Sequence, residues 1–359
     1  MIFHLLTYYL NNEEGHKLVT LCRYCYLMVN YAINGIGRIG KFVLKFLLER
    51  DANILYVNDS VGNIQLHKHL LEFDSIHGKW NAKFEHYDDT LVINDKKIIF
   101  TNFNKIEDLK LENVDIVLDC TGVFKTQKKL IPYFEKGVKK VIVSAPINEK
   151  EVANLVFGVN QKIYKPSIHK IITAASCTTN CLAPIVKVIH DNLGIAHGSI
   201  TTIHNVTNTQ TIVDRPGTDF RRSRSSINSI IPTTTGSATA ISLIYPELKG
   251  KLNGHAVRIP ILNSSLTDCV FELKVDSSES QVNNLFKEAS KTYLKGILGY
   301  EEAPLVSTDY VNDDRSAIVD AKSTMVINKR QLKVYAWYDN EIAYSKRMVD
   351  ICDFISSTL

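Results

Sequence analysis

The stretch Val29-Asn30-Tyr31-Ala32-Ile33-Asn34-Gly35-Ile36-Gly37-Arg38-Ile39-Gly40 decides how the first half of this chain folds. An apolar run, Val29 to Ile33, leads into Gly35-x-Gly37-x-x-Gly40. Beyond it Ile39, Val43, Phe46 and Leu47 recur at the spacing of one helix face. Ile54 to Val57 reads as a second strand, ending at Asn58-Asp59. Strand, glycine turn, helix and strand make a βαβ unit, which implies a parallel sheet with a right-handed crossover. Each glycine has its own task. Gly35 makes the tight turn, Gly37 lets the backbone approach a pyrophosphate, and Gly40 lets the helix pack closely on the strand. The helix start then faces the phosphates, and Asp59, 19 residues after Gly40, is placed to accept from ribose hydroxyls.

Working outward, further strands read at Leu91–Ile93, Lys97–Phe100, Val114–Asp119 and Val141–Ser144, with a helix over Lys128 to Glu135 between the last two. The first half is therefore an open α/β sheet. From Cys177 the texture changes. A helix from Thr178 to about Asn192 is followed by longer alternating strands at Ser199–His204, Cys269–Lys274 and Leu332–Tyr338. Alternation of this kind suits a sheet covered by helices on one face, with solvent or a partner subunit on the other. Asn205 to Ser229 is polar, Arg-rich and without periodicity, a long loop of the kind that tends to carry function. Tyr344, Met348, Ile351, Cys352 and Ile355 close the chain at helical spacing.

Composition narrows the classes. The chain has 359 residues, 45% of them hydrophobic and 22% charged, enough for two domains. A net charge of +4 is too weak to argue for nucleic acid or an anionic membrane as partner, and no apolar run approaches the roughly 18 residues of a membrane span. Seven cysteines, an odd number, read as free thiols in a reducing compartment. Residues 1–27 differ from the rest: Asn11-Asn12-Glu13-Glu14-Gly15 interrupts their apolar run, unlike a secretory signal, and Cys22-x-x-Cys25 lacks a second pair, so it reads as coincidence.

A second chemical motif is Ala175-Ser176-Cys177-Thr178-Thr179-Asn180-Cys181, which follows the strand-like Lys170–Thr173 and opens a helix. Ser176 is a fitting N-cap, which puts Cys177 in the first helical turn. Unpaired amides and the helix dipole there favour an anion and lower a thiol's pKa. Cys181, one turn on, reads as buried and inert. A thiolate needs a base. The chain has 11 histidines, and His204 is the best placed, ending Ser199–Ile203 as the chain enters the polar loop. Arg215, Arg221, Arg222, Arg224 and Arg258, with Thr207, Thr209 and Thr233-Thr234-Thr235-Gly236, suit a phosphate dianion, although a solvated basic face competes for Arg221 and Arg224.

With these residues in view, the chain resembles the phosphorylating glyceraldehyde-3-phosphate dehydrogenases. The resemblance is carried by Asn34–Gly40, Phe73-Asp-Ser-Ile-His-Gly78, Ser144-Ala-Pro146, Ser176-Cys-Thr-Thr-Asn-Cys-Leu-Ala-Pro184, Pro246–Gly254, Leu294–Tyr300 and Trp337-Tyr-Asp-Asn-Glu341, and it covers residues 28 to 359. It implies a Rossmann-type α/β dinucleotide-binding domain (28–176, joined by the C-terminal helix 342–359) and an α+β catalytic domain with a largely antiparallel sheet (177–341). Residues 1–27, ahead of the family's usual start at Met28, would be a misassigned start or an extension without catalytic role.

The resemblance also assigns roles. Cys177 would be the nucleophile and His204 its base. Gly35, Gly37, Arg38, Ile39, Gly40, Asp59, Ser144 and Asn340 would bind the dinucleotide, Asn340 holding the nicotinamide amide. Thr207, Arg222 and Arg258 would hold the substrate's C3 phosphate, and Ser176, Thr178, Thr235 and Gly236 the attacking inorganic phosphate. The implied reaction oxidises a triose phosphate through a hemithioacetal and a thioester to an acyl phosphate. The implied cofactor is NAD, with NADP also accepted because Ser60 follows Asp59 and Arg215 would reach a neighbouring subunit's ribose. A homotetramer in the cytoplasm is implied, without metal, nucleic acid or membrane. The family's usual basic residue after Phe100 is absent from Thr101-Asn-Phe-Asn104. Erythrose-4-phosphate dehydrogenase is the rival within the class. A non-catalytic interaction protein is the rival outside it, and it predicts loss of Cys177 or His204.

Overall fold

The geometry of the opening turn follows from its glycines. The computed structural model describes residues 29–359, so the readings of residues 1–27 and of Cys22 and Cys25 lie outside the described residues. β1 (Asn30–Asn34) enters Gly35 at φ +86°, where an added Cβ would stand 2.8 Å from the Thr121 amide nitrogen. A Cβ on Gly40 would stand 1.8 Å from the Gly35 carbonyl oxygen. Both positions exclude a side chain, so the chain can turn directly into α1 (Arg38–Leu48), which buries Val43, Leu44 and Leu47. β2 (Asn53–Asn58) then pairs parallel with β1, completing the βαβ unit expected from the glycine spacing.

After α2 (Ile64–Glu72) comes a two-stranded ribbon, β3 (Phe73–Asp74) and β4 (Gly78–Lys79). The rest of the first half is β5 (Phe84–Tyr87), β6 (Thr90–Ile93), β7 (Lys96–Thr101), β8 (Ile116–Asp119), α3 (Gln127–Glu135), β9 (Lys140–Val143), β10 (Val152–Asn154) and β11 (Ile171–Thr173). These strands form one sheet of nine in the order β10-β11-β9-β8-β1-β2-β7-β6-β5. The sheet is parallel from β10 to β7, and at its edge β6 runs antiparallel to both β7 and β5. The cause is local. Two-residue connections leave room only for hairpins, and Asp88 and Asn94 adopt the positive φ that tight hairpins require.

The second half begins with α4 (Cys177–Leu193) and β12 (Ile195–Asn205), then β13 (Ile231–Thr234), α5 (Ser237–Ile244), β14 (Leu252–Ile259), β15 (Ser265–Leu273), α6 (Glu279–Lys291), β16 (Leu298–Glu301), β17 (Ala317–Asp320), β18 (Met325–Ile327) and β19 (Gln331–Tyr338). Their order is β13-β14-β12-β15-β19-β17-β16, with β18 on β19, and most neighbours are antiparallel. Burial alternates along β15 and β19, and the buried face packs on α4 and α6 residues such as Leu182, Ile189 and Phe286. The last helix, α7 (Ile342–Ser356), returns to α1 and buries Met348, Ile351 and Ile355 in the first half's core. Among the described residues, no helix is long and apolar enough to cross a membrane.

Candidate active site

A strained turn delivers the cysteine. β11 ends at Thr173, and two residues later Ala175 has φ +51°, a left-handed conformation that costs a non-glycine residue about 1–3 kcal/mol. The turn is held from three sides: the Ala175 amide donates to Thr173 Oγ1 (3.1 Å), Tyr344 Oη donates to the Ala175 carbonyl (3.2 Å), and Asn180 Nδ2 donates to the carbonyls of Ala174 and Ser176 (2.8 and 2.9 Å). Ser176 is the N-cap, its Oγ accepting from the Thr179 amide at 3.1 Å, and Cys177 is the first residue of α4, as the spacing predicts.

Sheet register delivers the base. His204 lies near the end of β12, directly opposite Arg258 on the parallel neighbour β14. Its Nε2 is 3.6 Å from Cys177 Sγ. Its Nδ1 is 2.8 Å from the Asn205 carbonyl, and Arg258 Nη1 lies 2.6 Å from Nδ1 and 3.1 Å from that same carbonyl. We assign the Nδ1 proton to the bond with the Asn205 carbonyl, which leaves the Nε2 lone pair facing the thiol; Arg258 Nη1 then meets Nδ1 not as a hydrogen-bond partner but as a second donor sharing that carbonyl. Burial, followed by the charge of Arg258, pushes His204 down to about 3, so it stands as a neutral base. Burial also pushes the Cys177 thiol up, against the pull of Arg258 and of the Thr178 hydroxyl and amide. The lowering expected from the helix start is thus outweighed by desolvation.

Cationic and hydroxyl side chains lie around this pair. Arg258 is mostly buried, its Nε has no partner, and among the described residues it pairs with no carboxylate. Arg222 donates to Thr233 Oγ1 (3.0 Å) and Thr209 Oγ1 (3.3 Å), and Thr209 in turn meets Thr207 Oγ1 at 2.9 Å. Thr207 and Arg222 are thereby linked, and the charge of Arg222 is felt by both His204 and Arg258. Thr235 and Gly236 stand at the start of α5, which packs against α4. Thr178 Oγ1 is 2.9 Å from the hydroxyl of Tyr338, whose ring meets His204 edge-on with centroids 6.0 Å apart. Tyr338 was not among the site residues read from the sequence; its place beside the Asp339–Glu341 string was the available signal.

A cleft of about 310 Å³ opens at the carboxyl ends of β1, β2 and β8, lined by Gly35, Gly37, Asp59, Ser60, Lys105 and Thr121 among others. Its residues fit a dinucleotide. The first helical bond of α1 runs from the Lys41 amide to the Gly37 carbonyl, leaving the amides of Arg38, Ile39 and Gly40 free of the helix's own acceptors. A Cβ on Gly37 would meet nothing within 4 Å. Asn340, buried between β19 and α7, has an Oδ1 without a partner. Ser144 follows β9 at the same end of the sheet, its amide bonded to the Asp119 carbonyl. Asp59 is held by the amides of Ile36 (3.0 Å) and Val61 (3.1 Å). The Arg38 guanidinium is taken up by Asp74 and Glu341, so its backbone amide is what remains for a phosphate. Although Thr101–Asn104 lacks the usual base, Lys105 brings one into the cleft. Among the described residues, no group of three or more His, Cys, Asp or Glu side chains is arranged to hold a metal ion.

Comparison with known proteins agrees with this layout. The profile described as glyceraldehyde 3-phosphate dehydrogenase, NAD binding domain, matches residues 29–127, and the one described as its C-terminal domain matches residues 176–340. The chain is 52% identical over 337 residues to "Glyceraldehyde-3-phosphate dehydrogenase 3" of Nostoc sp., covering 93% of this chain and 100% of that one. It is 46% identical over 334 residues to "Glyceraldehyde-3-phosphate dehydrogenase" of Geobacillus stearothermophilus, covering 92% and 99%. With "Glyceraldehyde-3-phosphate dehydrogenase 2" of Bacillus subtilis the identity is 44% over 336 residues, covering 93% and 98%.

Proposed function

The chain belongs to the glyceraldehyde 3-phosphate dehydrogenase family, an NAD-dependent phosphorylating oxidoreductase of glycolysis, and from that premise we propose how its own residues divide the work. The observation that carries the reading is Cys177 Sγ standing 3.6 Å from His204 Nε2 with Arg258 alongside. His204 takes the thiol proton as sulfur adds to the aldehyde carbon, returns it to the forming alkoxide to give the hemithioacetal hydroxyl, and takes it back as the adduct is oxidised. The nicotinamide, when bound, supplies the hydride acceptor that converts this adduct to a thioester. Arg258, Arg222 and Thr207 hold the C3 phosphate. Ser176, Thr178, Thr235 and Gly236 place inorganic phosphate for attack on the thioester, which restores the Cys177 thiol and releases the acyl phosphate. Covalent capture keeps the energy of oxidation in the thioester and couples it to phosphorylation.

Gly35, Gly37, Gly40 and the amides of Arg38 and Ile39 take the pyrophosphate, Asp59 the ribose, and Ser144 and Asn340 the nicotinamide end. NAD is the cofactor. Ser60 and Lys105 in the cleft, with Arg215 from a neighbouring subunit, make NADP a second, poorer one. The chain divides into 28–176 with 342–359, and 177–341. A homotetramer is the assembly we infer, and the exposed Ile212, Val213, Phe220, Ile227 and Ile230 in and just after the 205–229 loop support a subunit contact there. It works in the cytoplasm, in keeping with the free state of Cys120, Cys177, Cys181, Cys269 and Cys352.

One assay tests the scheme: purified protein, triose phosphate and either nucleotide, with and without phosphate. Reduction that depends on phosphate is expected with the three-carbon aldehyde. A phosphate-independent rate, or preference for the four-carbon aldehyde, overturns it in favour of erythrose-4-phosphate dehydrogenase. A kcat/KM for NADP below about a thousandth of that for NAD removes the second cofactor, because one charged contact is worth about 1.5–3 kcal/mol.

A further inference from the structure

The Phe73–Gly78 stretch takes no part in this chemistry, yet two of its side chains reach the seam between α1 and the turn that carries Asn340. Asp74 accepts from Arg38 Nη1 and Lys41 Nζ, both at 2.5 Å, at the start of α1. Arg38 continues to Glu341 through Nε (2.9 Å) and Nη2 (2.5 Å). Glu341 Oε2 is 2.8 Å from His77 Nε2, and His77 Nδ1 is 2.7 Å from Asn312 Oδ1. Both ring nitrogens thus have an oxygen acceptor in reach, and Asn263 Nδ2, a donor, also lies 3.2 Å from Nε2.

Asp339 completes the cluster 3.9 Å from His77 Nδ1. Its Oδ1 accepts from the amides of Glu341 (2.8 Å) and Ile342 (2.9 Å), and its Oδ2 from Asn263 Nδ2 and the Asn312 amide, both at 2.9 Å. Arg38, Lys41 and His77 face Asp74, Asp339 and Glu341 across this seam. Asn340 lies between two of these anchored carboxylates, and its own Oδ1 is left without a partner. Buried ion pairs add little net stability, but they demand one geometry.

Within the reading that Asn340 holds the nicotinamide amide, on which this rests, we propose that His77 and Glu341 are positioning residues. Together with Arg38, Lys41, Asp74 and Asp339, they fix Asn340 relative to the first turn of α1. The turn grips the pyrophosphate and Asn340 grips the nicotinamide, so the Arg38–Glu341–His77 bridge sets the spacing between two grips on one ligand. Such a device matters only to a ligand long enough to feel both. ADP-ribose occupies the turn and lacks the nicotinamide, so it separates positioning from general structural support.

The test is calorimetric titration of NAD and of ADP-ribose into the wild type and into Asn340→Ala, His77→Gln and Glu341→Gln. Each variant is expected to weaken NAD about tenfold, the share of one charge-assisted hydrogen bond, and to leave ADP-ribose within about twofold. Should Glu341→Gln fail to fold, Asn263→Ala, which removes one donor to Asp339, carries the same expectation at about threefold. If Asn340→Ala weakens both ligands equally, the reading of Asn340 fails. If Asn340→Ala is selective for NAD while the folded network variants weaken both ligands alike, or neither, that reading stands and the positioning role is overturned.

Discussion

Two helix starts in this protein face a reacting system, and they are finished differently. α1 begins at Gly37, with no side-chain cap, no acid in its first turn and open space where a Cβ would stand. α4 begins at Ser176, whose own hydroxyl closes the Thr179 amide, and its first residue is Cys177, the proposed nucleophile. An uncapped start leaves amides free for a bound anion, whereas a self-capped start presents a side chain in a fixed place. In the proposed scheme the first start serves recognition and the second covalent chemistry. At α4 the dipole does not act alone: burial of Cys177 outweighs it, which is why the proposed scheme gives the thiol a base in His204.

The comparison breaks most sharply at that histidine. If α4's dipole and Arg258 sufficed to keep Cys177 ionised, removing the base would cost little. We expect His204→Asn to lower kcat by about 10²–10⁴, to slow alkylation of Cys177 at neutral pH, and to leave NAD affinity unchanged. A kcat within tenfold of wild type would mean that the helix start carries the activation itself.

The glycines sharpen the other side. Gly40→Ala forces a Cβ against the Gly35 carbonyl, and overpacking of that severity should cost about 3 kcal/mol, seen as a lowered Tm with or without ligand. Gly37→Ala meets no protein atom and has an ordinary φ of −71°, so the fold should keep its Tm while NAD affinity falls about tenfold. If Gly37→Ala instead unfolds the protein and spares NAD binding, the open space is not where the pyrophosphate lies.

These contrasts also mark what the sequence made legible. The βαβ unit and the α4 start are local: a glycine spacing, a helix face and an N-cap lie within a few residues, and each was readable from the chain. His204 beside Arg258 depends instead on the register of β12 against β14, strands separated by the whole 205–229 loop, and no local pattern states that register. The βαβ unit implies parallel pairing, and the sheet has it from β10 to β7; the two-residue turns that reverse β6 between β5 and β7 lie outside that unit. α2 gave a weak signal because Leu66 and Leu70 are exposed, blurring its apolar face. α6 carries a readable signal, Ser278 followed by Val282, Phe286 and Ala289, yet it was not among the elements read from the sequence. Lys105 shows a subtler gap: a basic residue displaced along a loop still enters the same cleft.

The smallest effect concerns how the uncapped start is kept in place. Arg38 is a cation at a helix N-terminus, where the dipole disfavours it, and Asp74 offsets this from outside the helix. Burial raises the Asp74 carboxyl, but donors from Arg38 and Lys41 and the amides of His77 and Ile76 outweigh it and hold the group well below the usual carboxylate range. A carboxyl whose pKa is depressed by folding stabilises the protein fully above its unfolded value, about 3.9, and that contribution is lost as pH falls toward the folded value. Asp74→Asn should therefore lower Tm by a few degrees at pH 7 and by nearly as much at pH 5, the gap to wild type closing below about pH 4. Ser176→Ala, which removes a neutral cap worth about 1 kcal/mol, should lower Tm by an amount that does not change over the same range. A pH-independent gap for Asp74→Asn would mean that α1, like α4, is held by neutral contacts, and the difference between the two starts would then lie only in what each presents to the ligand.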